Sequence, residues 1–584
     1  MRMRTIRPAY IVMRPRHLLS PPLLAALRRT AVFALPIVIY AAAAIPLAVK
    51  YRERLNVDAV CYIRRAMYWA GGDFYHALSG YWSPLISWTM VPLLKAGVDP
   101  LYSARIVMCA CGAVAIIPLG LLLMRLGATG FIWTCAALSA TALTFAAIAV
   151  REITPDLLLA ACLLAYLAAL TRQSPSASPR ADFLAGMLGG LAYLAKAYAF
   201  PFVLVHLPLT MLLFRGRLFF RPLLRALAGF LLLALPWIAA ISWRYGALTI
   251  STAGPRAHAV LAPDNPSREH RWTMTVPPDP YVLEFENPET MPYRFWSPLA
   301  DRRCFLHQLR IVYHNLFGTP PGAYPPVHGL LATIADFDLL RLSIVALLAA
   351  PLAAARLLER SRQRLIAAWL AATVALYCAG FLPVFYIPRY IQPLAAPLCL
   401  ALALLIALHT RFLPPALRRA AAGVVVFSFT ASAWNSIPGD ARATGQYRIL
   451  AARLCNIFPS SPIAGSDRRN LAFLALHSGR KAVAIPLDGD PPAIDAELAV
   501  QGIDVLVVWP LRQREMSLGV VNMAERVART GRWRLAFHFG PPDGGADVYV
   551  RTEADRPATL PDSRPMHTQP TSAFTPRRPS SSSN

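Results

Sequence analysis

Lysine is nearly missing from this chain of 584 residues: Lys50, Lys95, Lys196 and Lys481 are the only four among 58 basic residues. Acids are scarce as well, 31 in all, so the formal net charge is +27. Charged residues together reach 15%, against roughly 25% in soluble domains. Apolar residues fill the gap, at 56% of the chain with a mean hydropathy of +0.44. That balance excludes an ordinary soluble protein and implies an integral membrane protein with one soluble part. Cysteine patterning is missing too. The nine cysteines contain no Cys-x-x-Cys pair, and Cys109, Cys111, Cys135, Cys162, Cys378 and Cys399 fall in apolar runs. Neither a zinc site nor a disulfide framework is supported. His-Glu-x-x-His spacing and a Gly-rich phosphate loop are absent. No motif therefore specifies a cofactor; a divalent metal is compatible with the acids, but no spacing points to one. There is no internal repeat.

Crossing a bilayer takes about 20 apolar residues, with roughly 17–25 common. Eleven such runs are read here, at about 31–49, 105–124, 131–150, 155–171, 183–195, 197–214, 223–243, 340–357, 364–381, 390–409 and 415–433. The basic leader before the first is long for a signal peptide, and many spans follow. Arginine placement sets the orientation. With the N-terminus in the cytoplasm, twenty-one arginines from Arg2 to Arg419 fall inside, and the short outer links hold only Arg151, Lys196 and Arg389. The same placement accounts for the basic excess without nucleic acid. Richness in Arg, Ala and Pro fits a bacterial chain, hence an inner-membrane protein.

The expected organisation is a basic cytoplasmic N-terminus (1–30), a transmembrane domain (31–433) with outer loops 50–104 and 244–339, an exocytoplasmic domain (434–555) and a disordered Pro/Ser-rich tail (556–584). In 434–555, "SPIAGS", "KAVAIPL", "IDVLVVWP" and "WRLAFHFG" read as strands. They alternate with "RRNLAFLALHSG", "PPAIDAELAVQG" and "EMSLGVVNMAERVARTG", which read as helices. Such alternation predicts a small α/β domain with a mostly parallel sheet. The fold class is therefore mainly α, polytopic, with a C-terminal α/β domain outside the cytoplasm.

The acids of the outer face carry the chemistry. Asp58, in "NVDAVCY", begins a helical pattern that Gly71-Gly72 ends. A second helix follows from "YWSPLISWTMVPLLKAG", the pair suited to a membrane interface. Asp58 either caps the first helix or serves a site; Cys61 stands where a capping box needs Glu or Gln. Glu152 and Asp156, in "REITPDLLLA", either favour a helix dipole or join that site. Carboxylates at a membrane boundary are costly enough to make function the default reading. Lys196, in "GGLAYLAKAYAFPF", and Arg389, in "FYIPRYIQPLAAPL", lie on the same face as snorkelling anchors or as site cations. Together, carboxylates can take a hydroxyl proton and cations can hold a phosphate.

These residues, with "WSPLISWTMVPLLKAGVDPLYSARIVMCACGA", "TPDLLLAACLLAYLA" and "PRYIQPLAAPLCLALALL" in that order, make a chain that resembles the GT-C superfamily of membrane glycosyltransferases. It is similar to bacterial relatives of protein O-mannosyltransferases and of lipid A aminoarabinose transferases. The resemblance implies a GT-C-like fold and an exocytoplasmic reaction. A sugar would leave a polyprenyl-phosphate carrier for an acceptor on an envelope glycan, lipid or protein, with inversion. Asp58 would be the general base. Asp156, or less favourably Glu152, would be a second acid, and Lys196 and Arg389 would hold the carrier phosphate with Arg64 or Arg65 near it. Many relatives have Asp-Glu at the first-loop site, whereas Asp58 is followed by Ala59. Two other classes compete: a lipid-linked sugar transporter or flippase, which needs inverted repeats and midplane acids, and a non-catalytic envelope assembly protein.

Overall fold

The computed structural model describes residues 21–552 except 128, 172–177, 266–272, 321–326, 337–357, 436, 438–444, 459–460, 487, 512–520 and 541–544. The described residues form two compact units. The first holds residues up to 273, then 277–458 and 468–482; the second holds 274–276, 461–467 and 483–552.

The first unit is built of helices. In chain order they are α1 (Pro21–Lys50), α2 (Val57–Gly71), α3 (Phe74–Ala77), α4 (Leu85–Lys95), α5 (Pro100–Leu126), α6 (Phe131–Arg151), α7 (Asp156–Leu170), α8 (Pro179–Ala195), α9 (Ala199–Arg215) and α10 (Phe220–Tyr245). After α10 come α11 (Ala253–Ala259), α12 (Arg302–Phe317), α13 (Leu330–Ala335), α14 (Ser361–Ala379), α15 (Gln392–His409), α16 (Pro415–Asn435), α17 (Gly445–Ile457) and α18 (Arg468–Ser478). Local chemistry sets the ends. Asp99 Oδ1 accepts from the Leu101 and Tyr102 amides at 2.9 and 3.3 Å, Pro100 opens the first turn, and Gly127 at φ +58° stops α5.

Ten of the eleven expected apolar runs coincide with helices; the run 340–357 lies outside the described residues. Among the described residues, length and composition qualify six helices to cross a membrane: Thr30–Lys50, Pro100–Leu126, Phe131–Arg151, Ala199–Leu218, Phe220–Tyr245 and Gln392–His409. The expectation of eleven is not reached on that measure. α7 shows why: 15 residues rise only about 22 Å, short of a hydrocarbon core of about 30 Å.

Two membrane helices touch backbone to backbone. A Cβ on Gly186 of α8 would stand 1.7 Å from the Ala226 carbonyl oxygen of α10, and one on Gly229 would stand 2.1 Å from the Phe183 oxygen. Small residues allow such approach where no hydrophobic force drives helices together. Gly186→Val is therefore expected to part α8 from α10, with little folded protein surviving detergent extraction on size-exclusion chromatography. Gly71→Ala, with open space around it, should leave the yield unchanged.

The second unit contains a five-stranded sheet with strand order β2-β1-β3-β5-β4. The strands are β1 (Ile463–Gly465), β2 (Ala482–Ala484), β3 (Val505–Val508), β4 (Trp533–Phe539) and β5 (Ala546–Arg551). β1 and β3 are parallel, but β5 is antiparallel to both β3 and β4. The expectation of a mostly parallel sheet is thus corrected to a mixed one. The cause is β5, "ADVYVR", which the alternation of strands with helices did not include and which runs antiparallel to both its neighbours. α19 (Pro491–Val500) and α20 (Met523–Ala528) complete the unit, with Ile494, Leu498 and Val527 in its core.

Candidate functional site

The site gathers where α1, α6 and α8 end and where α2, α7 and α15 begin. Side-chain ties fix those ends. Asn56 Oδ1 accepts from the Ile153 amide at 2.9 Å, joining the start of α2 to the link between α6 and α7. Arg151 donates to Gln392 Oε1 at 2.6 Å, joining the end of α6 to the start of α15. Buried Arg105 donates to the carbonyls of Ala149 and Val150 at 2.9 and 3.0 Å and to that of Arg54 at 2.5 Å.

This frame leaves Asp58 free of backbone duty. Asn56, not Asp58, precedes the first turn of α2, and no side chain caps it. The capping alternative is thus overturned. Instead Asp58 Oδ2 accepts from Arg389 Nη2, while Arg389 Nη1 donates to Glu152 Oε2 at 2.6 Å. Arg389 Nε lies 3.9 Å from Asp156 Oδ2 and has no hydrogen-bond partner, although it is buried. Lys196 Nζ donates to Asp156 Oδ1 at 2.5 Å and sits 3.8 Å from the centre of the Tyr390 ring, a cation–π contact. Burial lowers the Lys196 pKa from its ordinary value; Asp156 partly opposes that.

Five of the six residues singled out in the sequence therefore meet: Asp58, Glu152, Asp156, Lys196 and Arg389. Four of them line a cavity of about 970 Å³; Glu152 grips Arg389 without lining it. Most of the remaining wall is apolar and aromatic, including Tyr62, Trp82, Phe202, Phe285 and Phe381. Asp156 is almost sealed, with its side chain 3% exposed, whereas those of Asp58 and Glu152 are 22% and 31% exposed. The arrangement can offer a carboxylate to a hydroxyl and two cations to an anion.

Arg64 lies elsewhere. Its Nε faces Glu286 Oε2 at 3.4 Å, and its Nη2 donates to the Pro280 carbonyl at 2.8 Å. Glu286 is fully buried and also accepts from the Val282 and Leu283 amides at 2.7 and 3.1 Å and from Tyr68 at 2.9 Å. Arg65 adds bonds to the carbonyls of His76, Leu78 and Glu286. Arg64 thus helps seat the loop that carries Phe285 into the cavity wall. Sequence reasoning missed this anchor, because the partners are more than 200 residues apart. It also missed Tyr62, although Tyr62 follows Asp58 by one helical turn and so shares its face. Among the described residues, no three His, Cys, Asp or Glu side chains are grouped to hold a metal ion.

The fold of this chain is the GT-C fold. Two solved structures show it. One is ArnT from Cupriavidus metallidurans in the apo state, at 14% identity and a TM-score of 0.52 over 90% of this chain and 98% of that one. The other is the archaeal oligosaccharyltransferase AglB from Archaeoglobus fulgidus, in complex with an inhibitory peptide and a dolichol-phosphate. It aligns at 12% identity and a TM-score of 0.52 over 92% of this chain and 75% of that one. No protein-family profile and no curated protein sequence matches the chain.

Proposed function

We propose that the protein is a membrane glycosyltransferase. It moves a sugar from a polyprenyl-phosphate carrier to an acceptor hydroxyl on the exocytoplasmic face of a bacterial inner membrane, with inversion. The observation that carries this reading is the convergence of Asp58, Asp156, Lys196 and Arg389 at one apolar cavity. Asp58, the partly open acid, takes the acceptor proton as general base. Asp156 orients Lys196, and Glu152 orients Arg389. Lys196 and the unspent Nε donor of Arg389 meet the carrier phosphate, where negative charge develops as the sugar leaves. The aromatic wall suits an isoprenoid chain, and the AglB structure contains a dolichol-phosphate.

Deleting the gene and comparing envelope glycans and glycolipids by mass spectrometry tests the proposal. One sugar should vanish from one acceptor while its lipid-linked form accumulates. Unchanged glycans and glycolipids would reject it. Accumulation confined to the cytoplasmic leaflet would favour a flippase instead.

The lowered pKa of Lys196 predicts a pH dependence. As pH rises toward that value the ammonium loses its proton and its hold on phosphate weakens. The kcat/KM for donor should therefore fall on the alkaline side at a lower pH than an ordinary lysine, near 10.4, would set. Lys196→Arg keeps its charge throughout and should remove that limb.

A further inference from the structure

α12 belongs to the long loop after α10 and lines no part of the cavity described above. Its faces differ. Ile311 and Asn315, one turn apart, are buried, and Asn315 Nδ2 donates to the carbonyls of Leu382 and Val384 at 2.8 and 2.7 Å. On the opposite face Phe305, Leu309 and Tyr313 recur every four residues, 49%, 50% and 57% exposed. Arg303 and Arg310, two turns apart, run along the flank of that stripe, with Arg302 at the helix start. These three arginines, with Pro263, Leu306 and His307, line a separate groove of about 570 Å³. No acidic side chain lines it, and among the described residues none of the three arginines forms an ion pair.

Each half of this surface limits what covers it. A soluble anion would need the arginines but not the half-exposed aromatic stripe. An uncharged apolar partner would need the stripe but not three guanidinium groups in a groove without an acidic lining residue. A charged groove along an apolar stripe complements an amphiphile with an anionic head. We propose that this groove and stripe bind an anionic phospholipid of the surrounding leaflet. The phosphate sits among Arg302, Arg303 and Arg310, and the acyl chains lie along Phe305, Leu309 and Tyr313. Guanidinium groups bind phosphate through charge-assisted hydrogen bonds. The assignment does not rest on the transferase reading.

Native mass spectrometry of the full chain tests it. The protein is purified from nanodiscs of phosphatidylcholine alone or of phosphatidylcholine with phosphatidylglycerol. The wild type should retain phosphatidylglycerol selectively. The triple variant Arg302→Gln, Arg303→Gln, Arg310→Gln should weaken that retention on the order of a hundredfold, each arginine near a membrane surface counting roughly fivefold. The triple lysine variant should restore most of it, which a merely structural role would not do. Retention unchanged in the glutamine variant overturns the proposal, as does failure of the lysine variant to restore it. Displacement of the lipid by inorganic phosphate alone would also overturn it, in favour of a soluble anion.

Discussion

Asp58→Asn is expected to cut sugar transfer by about 10²–10⁴-fold, the usual contribution of a general base. Asparagine keeps the shape and can still accept from Arg389, but it cannot take a proton. Arg389 also keeps Glu152, so the cluster should hold together. The measurement is restoration, in a deletion strain, of whichever envelope sugar that strain has lost. Membrane level and melting temperature should match the wild type. A well-folded Asp58→Asn protein that restores the sugar at the normal rate would remove Asp58 as base. Ala59 bears on the same point. It is fully buried and does not line the cavity, so the second acid of an Asp-Glu pair would have no access to substrate from that position in this structure.

The second large effect is expected at Arg389. Arg389→Gln leaves Asp58, Glu152 and Asp156 converging with only Lys196 among them. Stability should fall by roughly 1.5–3 kcal/mol, the range for hydrogen bonds to charged groups. Melting curves of the variant and the wild type check this; an unchanged melting temperature would exclude a structural part for Arg389. Transfer should fail as well, with KM for the lipid donor raised. Arg389→Lys should recover stability better than activity, because a point charge neutralises the acids without reproducing the fork.

Much of this site could be read from the sequence, for a physical reason. Charges are so rare in the apolar runs that each one left at a boundary is conspicuous. Asp58, Glu152, Asp156, Lys196 and Arg389 were found by scarcity and by their shared membrane face. Pairing was not legible. Arg64 was expected near the phosphate that Arg389 holds, and only the fold separates the two, by placing Glu286 beside one and three acids beside the other. The helix-cap question at Asp58 was undecidable for a similar reason. The competing partner lies 331 residues away. Helix positions came through well, because apolar runs are long signals. The strand "ADVYVR" did not, because six residues in a hairpin carry little pattern.

The span from Asp58 to Arg389 also has a consequence for biogenesis. Ribosomes add about 5–20 residues per second. The nascent chain must therefore carry Asp58 for tens of seconds before its guanidinium partner exists. Glu152 waits for 237 residues, whereas Asp156 meets Lys196 only 40 residues later. The half-site of α7 and α8 can close early, and the full constellation only once residue 389, two thirds of the way along the chain, has been made. A chain truncated before residue 389 should insert, yet remain an acid-bearing intermediate open to quality-control proteases.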